Sequence, residues 1–112
     1  MDFTINFVTT FSLGIFYAGP VLIFLILLIS LLGQRIGKRE GWNKVDALYY
    51  SFITATTVGY GDFHPKTTVS KFYAIAIAFL GLILTGIVVA LAVKAGSVAF
   101  NDLYEITLNV KN

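Results

Sequence analysis

Apolar residues crowd two stretches of this chain, and polar residues mark what lies between them. No residue between Asp2 and Arg35 is charged, and from Val21 to Leu32 only Ser30 interrupts the aliphatic and aromatic side chains. A second charge-free stretch lies between Lys71 and Lys94. A helix rising ~1.5 Å per residue needs roughly 20 apolar residues to cross a ~30 Å hydrocarbon core, so each stretch predicts a spanning helix. With two spans, both termini fall on the same side. The first span is predicted over residues 11–33, after a short interfacial lead-in from Met1 to Thr10, and Pro20 inside it should bend or break the helix. The second is predicted over residues 69–100, with a tail of residues 101–112 too short to fold alone.

Residues 34–43 are polar, basic and glycine-rich, and so read as a surface loop. Gly33, Gly37 and Gly41 formally make two overlapping GxxxG patterns, but Arg35, Lys38 and Arg39 lie within them and argue against a helix-dimerisation face. Residues 44–56 predict a short helix. Asn43 can cap it, Asp46 favours its positive end, and Ala47, Leu48, Tyr49, Tyr50, Phe52, Ile53 and Ala55 make it apolar on most faces. A helix of about 12 residues is only ~18 Å long, about half a bilayer, so it can enter the membrane without crossing it. Residues 57–61, at roughly 3.3 Å each, span about 16 Å and can return the chain to the side it came from.

Non-helical backbone at membrane depth leaves carbonyls without partners, at several kcal/mol each. A dehydrated cation would satisfy a file of carbonyl oxygens. In a strand successive carbonyls alternate in direction, whereas alternating right- and left-handed backbone aligns them, and the left-handed state is cheap only for glycine. Gly59 and Gly61 alternate with Val58 and Tyr60 in the required manner, and Thr57 adds a hydroxyl oxygen. One copy cannot surround an ion, and cyclic symmetry is the simplest way to close a ring.

The composition fits this picture. Of 112 residues 57% are apolar and 12% are charged, which favours a membrane protein. The first apolar stretch makes a poor signal peptide, having no basic start and no small-residue cleavage site. Cysteine is absent, which excludes disulfides and thiolate metal sites. A formal charge of +2 with no long basic run gives no sign of nucleic-acid binding. Gly59 and Gly61 make only GxG, without the third glycine or strand–helix setting of a dinucleotide site.

The segment TTVGYGD, residues 56 to 62, resembles the signature filter of potassium channels, which is built from four TVGYG loops. The wider stretch ALYYSFITATTVGYGDFHPKT, residues 47 to 67, is similar without a gap to the pore region of bacterial two-helix channels. The resemblance implies an all-α membrane fold in one domain, residues 1–112: outer helix 11–33, turret 34–43, pore helix 44–56, filter 57–61, inner helix 69–100 and tail 101–112. It implies a homotetramer in the bilayer, with potassium held by the carbonyls of Thr57, Val58, Gly59 and Tyr60 and the Thr57 hydroxyl, and with Gly61 completing the filter. Thr54 and Thr56 would stand behind it. Gly81 falls at the family's hinge glycine, for which close helix packing is the alternative role. Leu82, Thr85 and Val89 would line the cavity, with Val93 near the inner constriction.

Two departures from the family pattern bear on filter support. Tyr49 and Tyr50 stand where many relatives carry paired tryptophans. Ile53 stands where some bacterial members carry a glutamate, which leaves Tyr49 as the expected contact of Asp62. His64, the only histidine, falls at the outer mouth, where a solvated loop residue is preferred over a pH-sensing role.

An outward-facing filter puts Arg35, Lys38, Arg39, Lys44, Lys66 and Lys71 outside, against the positive-inside tendency. The polarity of the filter takes precedence because its direction is tied to function. The expectation is therefore a plasma-membrane potassium channel with both termini cytoplasmic, conducting passively without catalytic chemistry and with no arginine-rich voltage-sensing helix. A cytoplasmic regulatory domain would lie outside this chain or be absent altogether. A nonselective cation channel and a nonconducting assembly subunit are the alternatives.

Overall fold

A computed structural model describes residues 2–111. Three helices follow one another: α1 (Phe3–Glu40), α2 (Lys44–Ala55) and α3 (Thr68–Lys111). No strand occurs among the described residues. The chain is all-α, and α1 and α3 are long and apolar enough to cross a membrane.

Both long helices outrun the boundaries expected from sequence. α1 begins at Phe3 rather than residue 11 and continues through the stretch read as a loop. Bilayer thickness sets the minimum apolar length of a span; it does not stop the hydrogen-bond ladder where polar residues begin. Arg35, Lys38, Arg39 and Glu40 are good helix formers. The stop comes at Gly41, whose φ of 77° lets the Trp42 N–H reach back to the Gly37 carbonyl at 2.9 Å, a Schellman closure. Pro20 sits inside α1 without ending it. The expected tail is likewise helical to Lys111, since no glycine or proline follows Gly96 to interrupt α3.

α2 matches its predicted start. The Asn43 side chain accepts the Asp46 N–H at 2.7 Å, and Asp46 lies in the first turn. The helix ends one residue before the expected Thr56, which serves as the C-cap and donates its N–H to the carbonyls of Phe52 and Thr54.

The chain forms two compact units. In one, made from the chain up to Pro20 and from Ile87 onward, Phe3, Phe7 and Phe11 stack along α1 with centroids 6.4 and 5.9 Å apart. Ala95 and Ala99 of α3 are buried there. The second unit, Val21–Gly86, holds α2 and the segment that follows it. Its core is Ile29, Ile36, Tyr50, Ala55 and Ile77, bordered by Leu32, Trp42, Phe63 and Leu80.

Close approach of backbones positions α2 within that second unit. A Cβ added to Gly33 would stand 2.9 Å from the Ser51 Cβ and 3.2 Å from the Ala47 carbonyl oxygen, and one added to Gly37 would stand 2.7 Å from the Ala47 Cβ. On α3, a Cβ at Gly81 would meet the Ala55 Cα at 2.5 Å and its carbonyl carbon at 2.7 Å, with the carbonyl oxygen nearer still. The GxxxG spacing of Gly33 and Gly37 is therefore used within the chain, against a stripe of small buried residues at four-residue intervals, Ala47, Ser51 and Ala55. Ser51 hides its hydroxyl by donating to the Ala47 carbonyl at 2.8 Å.

The contacts at Gly81 predict a sharp contrast with Gly86, five residues on. Overpacking usually costs about 1–3 kcal/mol, and Gly81→Ala should exceed that because the obstructing atoms are backbone. Gly86→Ala meets nothing within 4 Å and should instead stabilise α3 by roughly 0.5–1 kcal/mol. Unfolding in detergent micelles measures both, and equal effects would contradict the close approach.

Candidate functional site

The segment leaving α2 is held by its amides. Thr57 N–H donates to the Thr54 carbonyl at 3.2 Å, and Gly59 N–H donates to the Ile53 carbonyl at 3.0 Å. In a planar trans peptide the C=O points opposite to the N–H. The carbonyls of Thr56 and Val58 are thus directed away from the end of α2 that holds their amides.

Backbone handedness supplies the rest of the alignment. Thr57, Gly59 and Gly61 have φ of 66°, 57° and 84°, while Val58 and Tyr60 between them stay on the ordinary side. The glycines adopt this conformation freely, but a β-branched residue does not. Thr57 therefore stores strain of about 1–3 kcal/mol, tolerated because the Thr54 and Ile53 carbonyls pin the residues around it. The left-handed series begins at Thr57, two residues before the first of the two glycines.

Thr57 to Asp62 are exposed in the single chain, with Val58 at 51% and Tyr60 at 72%. Behind them Ile53 and Thr54 are half-buried, and Thr56 turns its hydroxyl back to the Phe52 carbonyl at 2.6 Å. The carboxyl end of α2 carries a partial negative charge toward this segment.

Two phenols and an indole support the region. The Tyr49 phenol is held above its ordinary range, first by hydrogen bonding to the Asp62 carboxylate, then by desolvation and by the Asp62 charge. Tyr50 is also raised, chiefly by burial, with hydrogen bonding from Thr54 acting in the opposite direction. Trp42, which the sequence reading passed over, packs on Tyr50 with centroids 5.0 Å apart and on Phe63 at 5.3 Å; Tyr49 also meets Phe63, at 6.1 Å. A tryptophan is thus present behind the segment, contributed by the turn before α2 rather than by α2 itself.

Glu40 was also missed, because its partners are backbone groups far along the chain. Its carboxylate accepts the N–H groups of both Lys66 and Thr67, the latter at 3.1 Å, and so ties the end of α1 to the loop that precedes α3. The Lys66 N–H is the largest cause that lowers its pKa; desolvation opposes, and Thr67 and the charges of Lys66 and His64 add to the lowering. His64 itself is exposed.

On α3, Gly81 is buried against Ala55, whereas Leu82 and Thr85 are exposed. In the other unit Val89 and Val93 are exposed as well, at 53% and 66%. The packing role is the one visible at Gly81.

A family model described as "Ion channel" matches residues 10–97, which take in most of α1 and α3, all of α2 and the segment after it. The chain belongs to the ion channel family. Similar curated proteins include Two-pore potassium channel 1 of Arabidopsis thaliana, 41% identical over 56 residues, covering 50% of this chain and 15% of that protein. Potassium channel protein 1 of Methanocaldococcus jannaschii is 39% identical over 62 residues, or 55% and 18% of the two chains. Probable potassium channel protein 2 of the same organism is 44% identical over 75 residues, or 67% and 18%. The chain therefore spans less than a fifth of the length of each of these relatives. No solved structure matches it. An ion channel sequence with two apolar helices makes this a membrane protein.

The aromatic contacts predict that Trp42→Ala loses about 1–3 kcal/mol, from two ring pairs worth ~0.5–1.5 kcal/mol each, while Trp42→Phe keeps most of it. Denaturant titration of the two variants checks this. Glu40 predicts a pH dependence of definite sign. A carboxylate with a lowered folded pKa stabilises above its ordinary value of 4.5, and that contribution fades as pH falls below it. The thermal midpoint of the wild-type chain should exceed that of Glu40→Gln at neutral pH, and the gap should close under acid; a constant gap would contradict the pairing.

Proposed function

We propose that this chain is the pore-forming subunit of a potassium-selective channel, assembled as a homotetramer around a fourfold axis in the plasma membrane. The observation that carries the reading is the backbone of residues 57–61. Left-handed residues at Thr57, Gly59 and Gly61 alternate with ordinary ones, and amides tied to the end of α2 leave the Val58 carbonyl facing away from it. In a ring of copies such carbonyls face one another across the axis, and the relatives' names supply potassium as the permeant ion.

Potassium is the cargo, and no bond is made or broken as it passes. A dehydrated ion exchanges its water for carbonyl oxygens of Thr57, Val58, Gly59 and Tyr60 and the Thr57 hydroxyl, at stacked sites strong enough to admit it and numerous enough for neighbouring ions to drive one another onward. Gly61 and Asp62 lead to the outer mouth. The negative ends of the α2 helices offset the cost of an ion at the membrane centre. Exposed Val58 and Tyr60 require a packing surface that the single chain does not provide, which supports assembly from several copies. The exposed stripe of Leu82, Thr85, Val89 and Val93 would face the water-filled vestibule. Gly81 would permit the inner helix to flex where it leaves α2. Both termini lie in the cytoplasm on this reading.

Purified chain in liposomes should pass potassium and not sodium, and barium should block the flux. Equal sodium flux would make it a nonselective cation channel. No flux from correctly assembled protein would make it a nonconducting assembly subunit.

A further inference from the structure

The last turns of α3 are left unused by conduction. Lys94 closes the second charge-free stretch, which is already long enough to cross the hydrocarbon, and the helix then runs unbroken to Lys111, about 25 Å farther at ~1.5 Å per residue. This extension carries Asp102 and Glu105, which place it in water, yet Phe100, Leu103, Tyr104 and Val110 are 62%, 42%, 59% and 82% exposed. One flank is accounted for. Ala95 and Ala99 are buried, and Asn6 of α1 lines a cleft of about 280 Å³ with Asp102, Glu105, Ile106 and Asn109. The tail thus turns its charged side to the start of α1 and leaves most of its apolar side uncovered.

Spacing identifies what covers that side. Val89 and Val93 continue down the helix as Gly96, Phe100, Leu103, Thr107 and Val110, in alternating steps of four and three residues. A repeat of seven with two such positions is the seam of a coiled coil. The charged residues between Val89 and Val110 are Lys94, Asp102 and Glu105, and all of them fall off the seam, so identical copies can pack in parallel without like charges meeting. Thr107, the polar member, donates its hydroxyl to the Leu103 carbonyl at 3.0 Å and so brings no unpaired donor into the seam. Tyr104 and Ile106 flank the seam and widen the apolar face beyond what a two-helix contact needs. A bilayer surface could also cover an apolar face, but with no glycine or proline after Gly96 the helix has nowhere to bend toward it.

We propose that the α3 tails of identical copies bind one another as a parallel four-stranded coiled coil over residues 93–110, continuing the pore axis into the water beyond the inner mouth. The proposal rests on the fourfold assembly argued above and adds the contact that holds the copies together outside the membrane. Within the bilayer, helices gain little by hiding apolar surface from lipid; in water the same burial drives association, so the tail can supply a hydrophobic clamp that the spans cannot.

The test exploits the absence of cysteine, since one introduced thiol carries one spin label per copy. With the label at Glu105→Cys, off the seam, in full-length chain in bilayer discs, electron–electron distance measurement should give two narrow distances, those of adjacent and diagonal copies. Phe100→Ser with Leu103→Ser should broaden both and raise the fraction of dissociated chain in detergent by about tenfold or more, as expected when side chains of this size lose their burial. Asp102→Ser, off the seam, should change neither readout. If the double variant fails to insert, Thr107→Leu tests the seam from the other direction: it adds apolar surface there and should lower the dissociated fraction, and a raised fraction would count against the seam. Broad distances from an intact, conducting tetramer would overturn the proposal and leave the channel reading standing. A single narrow distance, as a mere pair of tails would give, would overturn it too, as would relaxation of the label by lipid-dissolved oxygen, which would show the tail lying on the bilayer. Two narrow distances in a protein that passes no ion would sink the channel reading and leave this one standing.

Discussion

Ala47, Ser51 and Ala55 place little more than a methyl group between the α2 backbone and its neighbours, and Gly33, Gly37 and Gly81 place nothing at all. In a bilayer the lipid tails are as apolar as leucine, so helices gain little from hiding apolar surface from one another; they gain from close van der Waals approach, which small residues permit. α2 is a short helix of 12 residues, too short to be stable alone and unable to cross the membrane. Contact on one flank with α1 and at its end with α3 is what holds it. Its last carbonyls, those of Ile53 and Thr54, are the ones that receive the amides of the segment beyond. A displacement of α2 would therefore move the acceptors that set the direction of the Val58 carbonyl.

The backbone beyond α2 shows what that anchoring makes possible. Two glycines accept the left-handed conformation without penalty, but Thr57 does not, and its φ of 66° persists only where the surroundings over-determine it. In the proposed channel the strained residue would stand at the inner end of the file, where its hydroxyl oxygen would add a ligand. The outer end is fixed differently. Trp42, Phe63, Tyr49 and Tyr50 form an aromatic group behind it, and Glu40 anchors the following loop from the end of α1.

Much of this was legible in the residues. Two charge-free stretches gave the spans, the Asn43 cap gave the start of α2, and the alternation of Gly59 and Gly61 gave the handedness of the segment between. What escaped notice shares a physical cause. The continuation of α1 through Arg35 to Glu40 depends on the helix ladder and the Gly41 stop rather than on hydropathy. The partners of Glu40 are backbone amides 26 and 27 residues away, which no side-chain pattern advertises. Trp42 packs on Tyr50 and Phe63, but it arrives from the turn before α2 rather than from α2 itself. A signal for the helix contacts was present in the four-residue spacing of Ala47, Ser51 and Ala55 opposite Gly33 and Gly37. The charges of Arg35, Lys38 and Arg39 beside those glycines give the stretch the pattern of a surface loop and mask it.

Carbonyl direction is the central claim, and isotope-edited infrared spectroscopy reads it directly. With ¹³C at the Val58 carbonyl of the reconstituted chain, replacing potassium by a bulky organic cation should shift the labelled band. The same label at Ile53, whose carbonyl is occupied by the Gly59 amide, should show no shift. A Val58 band indifferent to the ion, or an Ile53 band that responds as strongly, would contradict the account.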